Sequence, residues 1–194
     1  MASQGRQLDG MTVAILVSDL FEQAELAEPK KALEEAGART AIISDKGPRV
    51  HGMRHEKMGD AFDVDVPLEK AHPEAYDALV LPGGTFNADA LRMVPLARQF
   101  ARAMQGSGKT IGVICHGPWL LVSEELVKGR TLTSWPSVQD DIRNAGGCWV
   151  DREVVVDGNW ISSRKPADLP AFNRELIAAI AQQATRRAKA AERA

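Results

Sequence analysis

The chain has 194 residues and a formal net charge of −2, with 26% charged and 44% hydrophobic residues. This balance is typical of a globular protein, and it gives no reason to expect nucleic acid or a membrane surface as a partner. A chain of this length buries roughly 70% of its unfolded surface, which is enough for one domain with its own core.

Cysteine use and the N-terminus both bear on the compartment. The two cysteines, Cys115 and Cys148, form neither a disulfide framework nor a C-x-x-C pair. They fit a reducing compartment, so we expect a cytoplasmic protein. The first ten residues are polar and show no apolar signal-peptide core, and no apolar run is long enough to span a membrane.

Strand-like and helix-like segments alternate along the chain, which predicts a doubly wound α/β sandwich. Pro29 lies inside the first predicted helix and predicts a kink or a break there. Residues 45–59 predict a loop or a hairpin. We expect a polar tail at 1–10, one domain at 11–182 and a basic helix end at 183–194. The predicted strands are residues 12–18, Arg39–Ser44, 62–66, Ala78–Leu81, Thr110–Ile114 and 131–135; the predicted helices are 23–36, 88–92, 95–105, 119–128, 137–145 and one from about 168.

Local signals refine these elements. Asn87 is a candidate N-cap for the short helix, and Ser137 with Asp140 resembles a capping box. The pair Asp157-Gly158 between two apolar runs predicts a two-residue hairpin turn. The residues expected to point inward from helix 95–105 are Leu96, Phe100 and Met104.

The stretch T-I-G-V-I-C-H-G-P-W-L-L runs from a buried strand straight into Cys115 and then into a helix. Gly117 suits a backbone position that excludes side chains, and Pro118 suits a first helical turn. Cys115 is therefore expected at the carboxyl end of a central strand, where α/β sheets bind ligands. A helix N-terminus there would lower the thiol pKa below its usual value of about 8.5. The alternative is an inert core cysteine.

Glu25 follows the first strand and begins a helix, so it is expected at the same sheet edge as Cys115. A carboxyl beside a thiolate has a raised pKa, and a protonated Glu25 could donate a hydrogen bond to the sulfur. The alternative is that Glu22, Glu25 and Glu28 are simply favourable charges in a first helical turn.

Three further candidates surround this pair. His116 could act as the base for Cys115 or be a structural donor. The glycines Gly83 and Gly84 could expose N–H groups to an oxyanion, together with the N–H of His116, or form only a turn.

Two other sets of residues are expected to have no role in chemistry. His51 and His55 do not meet the H-E-x-x-H pattern, so no metal site and no cofactor are expected. Cys148 is expected in the core.

Motifs spread over residues 12–180 resemble the PfpI family of intracellular cysteine proteases, within the DJ/ThiJ/PfpI superfamily. They are F-E-Q-A-E-L-A-E-P-K-K-A-L-E-E-A-G from residue 21, L-V-L-P-G-G from 79, V-I-C-H-G-P-W-L-L from 113, T-S-W from 133, D-D-I-R-N-A-G from 140 and D-R-E-V-V-V-D-G-N-W-I-S-S-R from 151. The resemblance implies a flavodoxin-like fold, with a mostly parallel central sheet and helices on both faces.

The resemblance also implies roles for individual residues. Cys115 takes the place of the nucleophile, Glu25 that of the conserved acid and His116 that of the adjoining histidine. In the protease branch a carboxylate from a neighbouring subunit orients this histidine, and Asp89 stands at that position, one methylene shorter than the usual Glu. Leu20 stands where Gly is common, and Trp119, where Gln is common, would form a bulkier, apolar wall of the substrate pocket.

The function that these features imply is a stress-response cysteine hydrolase or a glyoxalase or deglycase, whose thiolate attacks a carbonyl in a small compound or a peptide. We expect a dimer or larger homo-oligomer. The alternative is a non-catalytic redox sensor or chaperone in which Cys115 is oxidised.

Overall fold

The computed structural model describes residues 6–191, with side chains through residue 186. The strands are β1 Thr12–Leu16, β2 Phe21–Glu22, β3 Arg39–Ser44, β4 Arg49–Arg54, β5 Lys57–Asp63, β6 Val66–Pro67, β7 Ala78–Leu81, β8 Thr110–Ile114, β9 Thr131–Leu132, β10 Cys148–Trp149, β11 Val154–Asp157 and β12 Trp160–Ser163. The α-helices are α1 Gln23–Glu35, α2 Thr85–Met93, α3 Pro95–Gly106, α4 Pro118–Ser123, α5 Gln139–Asn144 and α6 Leu169–Ala191. Single 3₁₀ turns lie at Leu68–Lys70, Pro73–Ala75, Pro136–Val138 and Pro166–Asp168.

Seven strands form the central sheet in the order β11-β12-β8-β7-β1-β3-β6. All neighbours are parallel except the β11–β12 hairpin, where Asp157 pairs with Trp160 around the predicted turn. The predicted α/β fold with a mostly parallel sheet is therefore confirmed, as are the bounds of β3, β7 and β8.

Helices cover both faces of this sheet because its central strands are apolar on both sides. In β1, Val13 and Ile15 pack into one core, while Ala14 and Leu16 pack into the other. The first core is completed by side chains of α1 and α6, and the second by side chains of α3 and α4. A strand buried on both faces reads as the continuous apolar run seen in the sequence.

The carboxyl ends of β1, β7 and β8 lie at one edge of the sheet because the three strands are parallel neighbours. Beyond β1 the chain forms β2, which pairs with the β4–β5 hairpin in a separate three-stranded sheet. The hairpin stands over the same edge. The sequence had left residues 45–59 open between a loop and a hairpin, and the structure shows the hairpin.

Several predicted boundaries were wrong. Pro29 does not split α1, which is one helix. Residues 62–66 are not one strand, since β5 ends at Asp63 and β6 begins at Val66. Helix α4 ends at Ser123, because Glu125 adopts a left-handed φ of 57° and the chain turns back into the core. Strand β9 contains only two residues and pairs with β10 outside the main sheet.

Predicted roles for four side chains were also wrong. Asn87 lies buried inside α2, which begins at Thr85, so it caps nothing. Ser137 makes no capping hydrogen bond, because a 3₁₀ turn precedes α5. Leu96 is 47% exposed, and Ala97 points inward in its place. Cys148, expected in the core, is exposed on β10.

The predicted tails are described only in part, since residues 1–5 and 192–194 lie outside the described residues. Leu8, in the predicted N-terminal tail, is fully buried. Among the helices between residues 6 and 191, none has the length and apolar character needed to cross a membrane.

Candidate active site

Cys115 occupies a strained turn between β8 and α4. Its φ of 60° is left-handed, a conformation that costs a residue other than glycine on the order of 1–3 kcal/mol. Two backbone hydrogen bonds hold it: its N–H donates to the Ser163 carbonyl (3.1 Å), and its carbonyl accepts from the Trp135 N–H (2.9 Å). Gly117 has a negative φ of −48°, and a side chain there would lie 2.6 Å from the Leu81 carbonyl oxygen. The prediction that residue 117 excludes a side chain is therefore confirmed, whereas the left-handed conformation lies at Cys115.

Glu25 is a fully buried carboxyl at this sheet edge. Its Oε2 accepts a hydrogen bond from the Gly83 N–H (2.8 Å), while its Oε1 has no geometrically regular partner within the described residues. Burial raises the pKa of Glu25 to about 8, and the charge of Glu22 adds to the shift. The Gly83 and Cys115 hydrogen bonds act in the opposite direction but are weaker. Glu25 is accordingly protonated at neutral pH.

Gly83 allows the close approach of these groups. A Cβ at this position would lie 2.6 Å from the Cβ of Cys115, 2.7 Å from Oε2 of Glu25 and 2.9 Å from the His116 nitrogen. All three distances are below ordinary contact, so any side chain at residue 83 would separate Glu25 from Cys115. The Gly83 N–H is occupied by Glu25, which makes it unavailable for the predicted oxyanion role.

The thiol of Cys115 is subject to opposing effects. Burial raises its pKa, and a negative charge on Glu25 would raise it further. Hydrogen bonds from the backbone N–H groups of Gly84 and His116 favour the thiolate. The net direction is upward, opposite to the lowered pKa that the helix N-terminus predicted. Protonation of Glu25 removes the repulsive part of this shift.

His116 adjoins the thiol in space as well as in sequence. Its Nδ1 lies 3.2 Å from the sulfur of Cys115. Its Nε2 faces two hydroxyl oxygens, Thr85 Oγ1 at 3.5 Å and Ser137 Oγ at 3.4 Å. Burial lowers the pKa of His116, so the ring is neutral at pH 7 and able to accept a proton.

Two indole rings fix the plane of this imidazole. Trp135 stacks on it at 6.2 Å between centroids, and Trp119 meets it edge to face at 5.2 Å. The indole N–H of Trp119 donates to Asp141 (2.8 Å). Trp119 therefore lies behind His116 and does not line the cleft as a wall, which is the place the sequence suggested for it.

Asp89 does not meet His116 within the chain. It is exposed on α2, and no hydrogen bond or ion pair joins it to a described side chain. The structure thus brings together Cys115, Glu25 and His116, and leaves Asp89 at the surface.

A cleft of about 870 Å³ opens above Cys115. The β4–β5 hairpin forms one side of it, and the segment after β12 forms another. The lining residues are Leu20, Glu22, Glu25, Met53, His55, Glu56, Gly84, Thr85, Phe86, Cys115, His116, Trp135, Lys165, Pro166 and Ala167. A reacting molecule can therefore reach the sulfur from one open side.

Sequence reasoning missed several residues of the site. Asn87 accepts the Ser18 N–H (2.7 Å) and donates to the carbonyls of Pro82 and Gly83, so it fixes the glycine turn. Ser137 and Thr85 face His116 from distant segments. Only the T-S-W motif that ends at Trp135 pointed to this region.

The raised pKa of Glu25 makes stability depend on pH. Between pH 4.5 and about 8 the unfolded chain ionises this carboxyl, while the folded chain keeps it protonated. Stability contributed by the neutral form is complete below pH 4.5 and is lost as pH rises through this window, by about 1.4 kcal/mol per pH unit. Glu25→Gln has a side chain of the same shape that cannot ionise, so its stability should not fall with rising pH in this window. Chemical denaturation of both proteins across pH 5–8 measures the difference, and parallel pH profiles would show that Glu25 is ionised in the fold.

Comparison with known proteins identifies the family of this chain. The sequence profile of the DJ-1/PfpI family matches residues 11–179. A deglycase from Pyrococcus abyssi is 44% identical over 167 residues, which are 86% of this chain and 98% of that protein. Deglycase PfpI from Pyrococcus furiosus is 42% identical over the same shares. The crystal structure of Drosophila melanogaster DJ-1beta superposes with a TM-score of 0.81 at 26% identity, covering 93% of this chain and 96% of that one. The chain therefore belongs to the DJ-1/PfpI family.

Proposed function

We propose that this protein is a cysteine-dependent enzyme of glyoxalase or deglycase type, in which the sulfur of Cys115 adds to a reactive carbonyl. The observation that carries the proposal is the convergence of a strained cysteine, a protonated carboxyl and a neutral imidazole at the floor of one open cleft. The name deglycase, borne by relatives that share 42–44% identity with this chain, supports the same reading.

The proton of the thiol has a defined route. His116 Nδ1, 3.2 Å from the sulfur, accepts it, which requires that Nε2 carry the hydrogen of the neutral ring. The oxygens of Thr85 and Ser137 face Nε2 and favour that tautomer. In this proposal Glu25 stays protonated and donates its hydrogen to the sulfur once the thiolate has formed. The backbone N–H groups of Gly84 and His116 also favour the thiolate.

On a 2-oxoaldehyde the steps balance without an external oxidant or reductant. The thiolate forms a C–S bond to the aldehyde carbon, and the carbonyl oxygen takes the proton from His116. His116 then removes the hydrogen of that carbon as a proton and returns it to the neighbouring carbon. The proton of the new hydroxyl group passes to the oxygen of the neighbouring carbon, so the first carbon regains a carbonyl and a thioester of a 2-hydroxy acid is left. Water cleaves the thioester, releases the acid and restores the thiol.

The geometry favours small dicarbonyls over peptides. Peptide cleavage needs a protonated leaving amine and hence a firmly oriented His116. In this chain no carboxylate among the described residues bonds to His116, and the two hydroxyl oxygens lie at the long end of hydrogen-bond distance. A dicarbonyl has no amine to expel and is more electrophilic, so its reaction does not require a firmly oriented imidazole.

The cellular setting follows from this chemistry. Both cysteines are free in the structure, which supports a reducing location such as the cytoplasm. Removal of reactive dicarbonyls would protect amines and thiols elsewhere, consistent with a stress-response role.

Replacing the nucleophile tests the proposal. Cys115→Ser should lower turnover of methylglyoxal by about a thousandfold or more, since no other group can form the thioester. Hydroxy-acid formation measured by chromatography reports the reaction. Cys148→Ser is the matched control, because Cys148 is exposed on β10 and lines no part of the cleft, and it should retain full activity.

Other outcomes would contradict the proposal. Efficient peptide cleavage with methylglyoxal untouched would restore the protease interpretation. Absence of turnover, combined with oxygen atoms added to Cys115 by mild peroxide, would favour the redox-sensor alternative.

We further propose that a second copy of the chain completes the site. Asp89 lies on α2 beside two exposed apolar residues of the same helix, Phe86 (66% exposed) and Met93 (76% exposed). Burial of this surface against another copy would remove the apolar side chains from water and could bring Asp89 to a partner's His116.

Sedimentation and one substitution test this assembly. The wild type should sediment as a dimer or larger oligomer at micromolar concentration, and Asp89→Asn should lower kcat about tenfold or more by loosening His116. Asp63→Asn, which removes an exposed carboxylate on β5, is the control and should leave kcat unchanged. A monomeric wild type, or equal kcat in Asp89→Asn, would refute the shared site.

A further inference from the structure

We propose that the cleft selects 2-oxoaldehydes that carry a bulky apolar group, above all an aromatic one, over the small methyl compound. This inference deepens the proposed function and rests on it for the reacting end of the substrate. It concerns the wall of the cleft that the chemistry at Cys115 does not use.

The first observation is the size of the cleft. Its volume of about 870 Å³ lies in the upper part of the range that encloses drug-sized ligands, roughly 300–1,000 Å³. Methylglyoxal would fill only a small part of this space and would leave most of the lining in contact with water. The volume therefore fits a substrate with a substituent much larger than a methyl group.

The second observation is the chemistry of the lining. Apolar side chains form most of the wall away from Cys115: Leu20, Met53, Phe86, Trp135, Pro166 and Ala167. Trp135 is 39% exposed, so its ring can contact a ligand in the cleft, whereas Phe86 belongs to the surface of α2 that is proposed above to face a second copy. Aromatic rings attract other aromatic rings through stacked or edge-on contacts in addition to area burial.

The third observation is the backbone at Leu20. Its φ of 61° is left-handed, a conformation that glycine adopts readily and that is unfavourable for a residue with a side chain. The conformation is held by the hydrogen bond from the Leu20 N–H to the His51 carbonyl (2.8 Å) on the hairpin. The chain thus keeps a large apolar side chain at the mouth of the cleft in spite of its conformational cost. Strain of this kind concentrates at functional sites.

The polar residues of the cleft are compatible with an apolar substrate. Glu22, Glu56 and Lys165 also line the cleft. Glu22 is engaged with the His55 backbone N–H (3.2 Å) and near its imidazole, so it does not require a ligand. Glu56 and Lys165 are exposed and remain in water when the apolar wall is covered.

A pair of substrates tests the selectivity. In initial-rate measurements, phenylglyoxal should show a kcat/KM at least about tenfold above that of methylglyoxal, since one methylene in an apolar pocket is already worth about tenfold. Leu20→Gly should reduce this ratio about tenfold, and Leu20→Asn, which tolerates a left-handed backbone but presents a polar group, should reduce it as well. Glu125→Gly relieves a left-handed residue outside the cleft (φ 57°) and should leave the ratio unchanged.

A second measurement does not depend on turnover. Mandelamide and lactamide resemble the two products but cannot react, and each should protect Cys115 from iodoacetamide by occupying the cleft. We expect mandelamide to protect at a concentration at least about tenfold lower than lactamide. In Leu20→Gly the difference between these two concentrations should be smaller.

The two measurements separate the possible failures. Equal kcat/KM for the two substrates and equal protection by the two amides would overturn the apolar selectivity while leaving the carbonyl chemistry intact. Preferential protection by mandelamide without turnover of any dicarbonyl would refute the proposed reaction and retain the apolar recognition.

Discussion

The site depends on one contact, that between the buried carboxyl of Glu25 and the thiol of Cys115. Two acids that share a site with little access to water cannot both ionise, because each charge disfavours the other. Burial raises the pKa of Glu25 to about 8, so at neutral pH the carboxyl holds its proton and can stabilise a charge on the sulfur. The proposed chemistry at Cys115 therefore depends on the location of a single proton.

The parallel sheet makes this contact possible. Strands β1, β7 and β8 end side by side, and the segments after them supply Glu25, Gly83 and Cys115 respectively. Gly83 has no side chain to separate the other two, and Asn87 holds the glycine turn from behind. The left-handed backbone of Cys115 is held by hydrogen bonds to Ser163 and Trp135. Neighbouring elements thus offset the strain that exposes the sulfur to the cleft.

Sequence reasoning found the parts of this arrangement that follow from local pattern. The bounds of β7 and β8 were predictable because both strands are strand-like runs with a clear end, at Pro82 and at Cys115 respectively. The proximity of Glu25 to Cys115 followed from the rule that parallel strands present their carboxyl ends at one edge.

The remaining features depend on tertiary contacts that pattern does not encode. The pKa of Cys115 is shifted by burial, which outweighs the short helix α4 from which a lowered value was expected. Ser137 and Thr85 reach His116 from segments 21 and 31 residues away in sequence. Cys148 follows Gly147 in an apolar context, yet β10 lies outside the central sheet and leaves it exposed.

The state of Glu25 can be measured directly from the pH dependence of iodoacetamide labelling at Cys115. Wild type and Glu25→Leu would be compared in a Cys148→Ser background, so that Cys115 is the one thiol that can be labelled. If Glu25 is a protonated donor, its removal deletes a hydrogen bond to the thiolate, and the labelling midpoint moves to higher pH. If Glu25 is ionised, its removal deletes a repulsive charge. A midpoint that stays in place or moves to lower pH in Glu25→Leu would contradict the account.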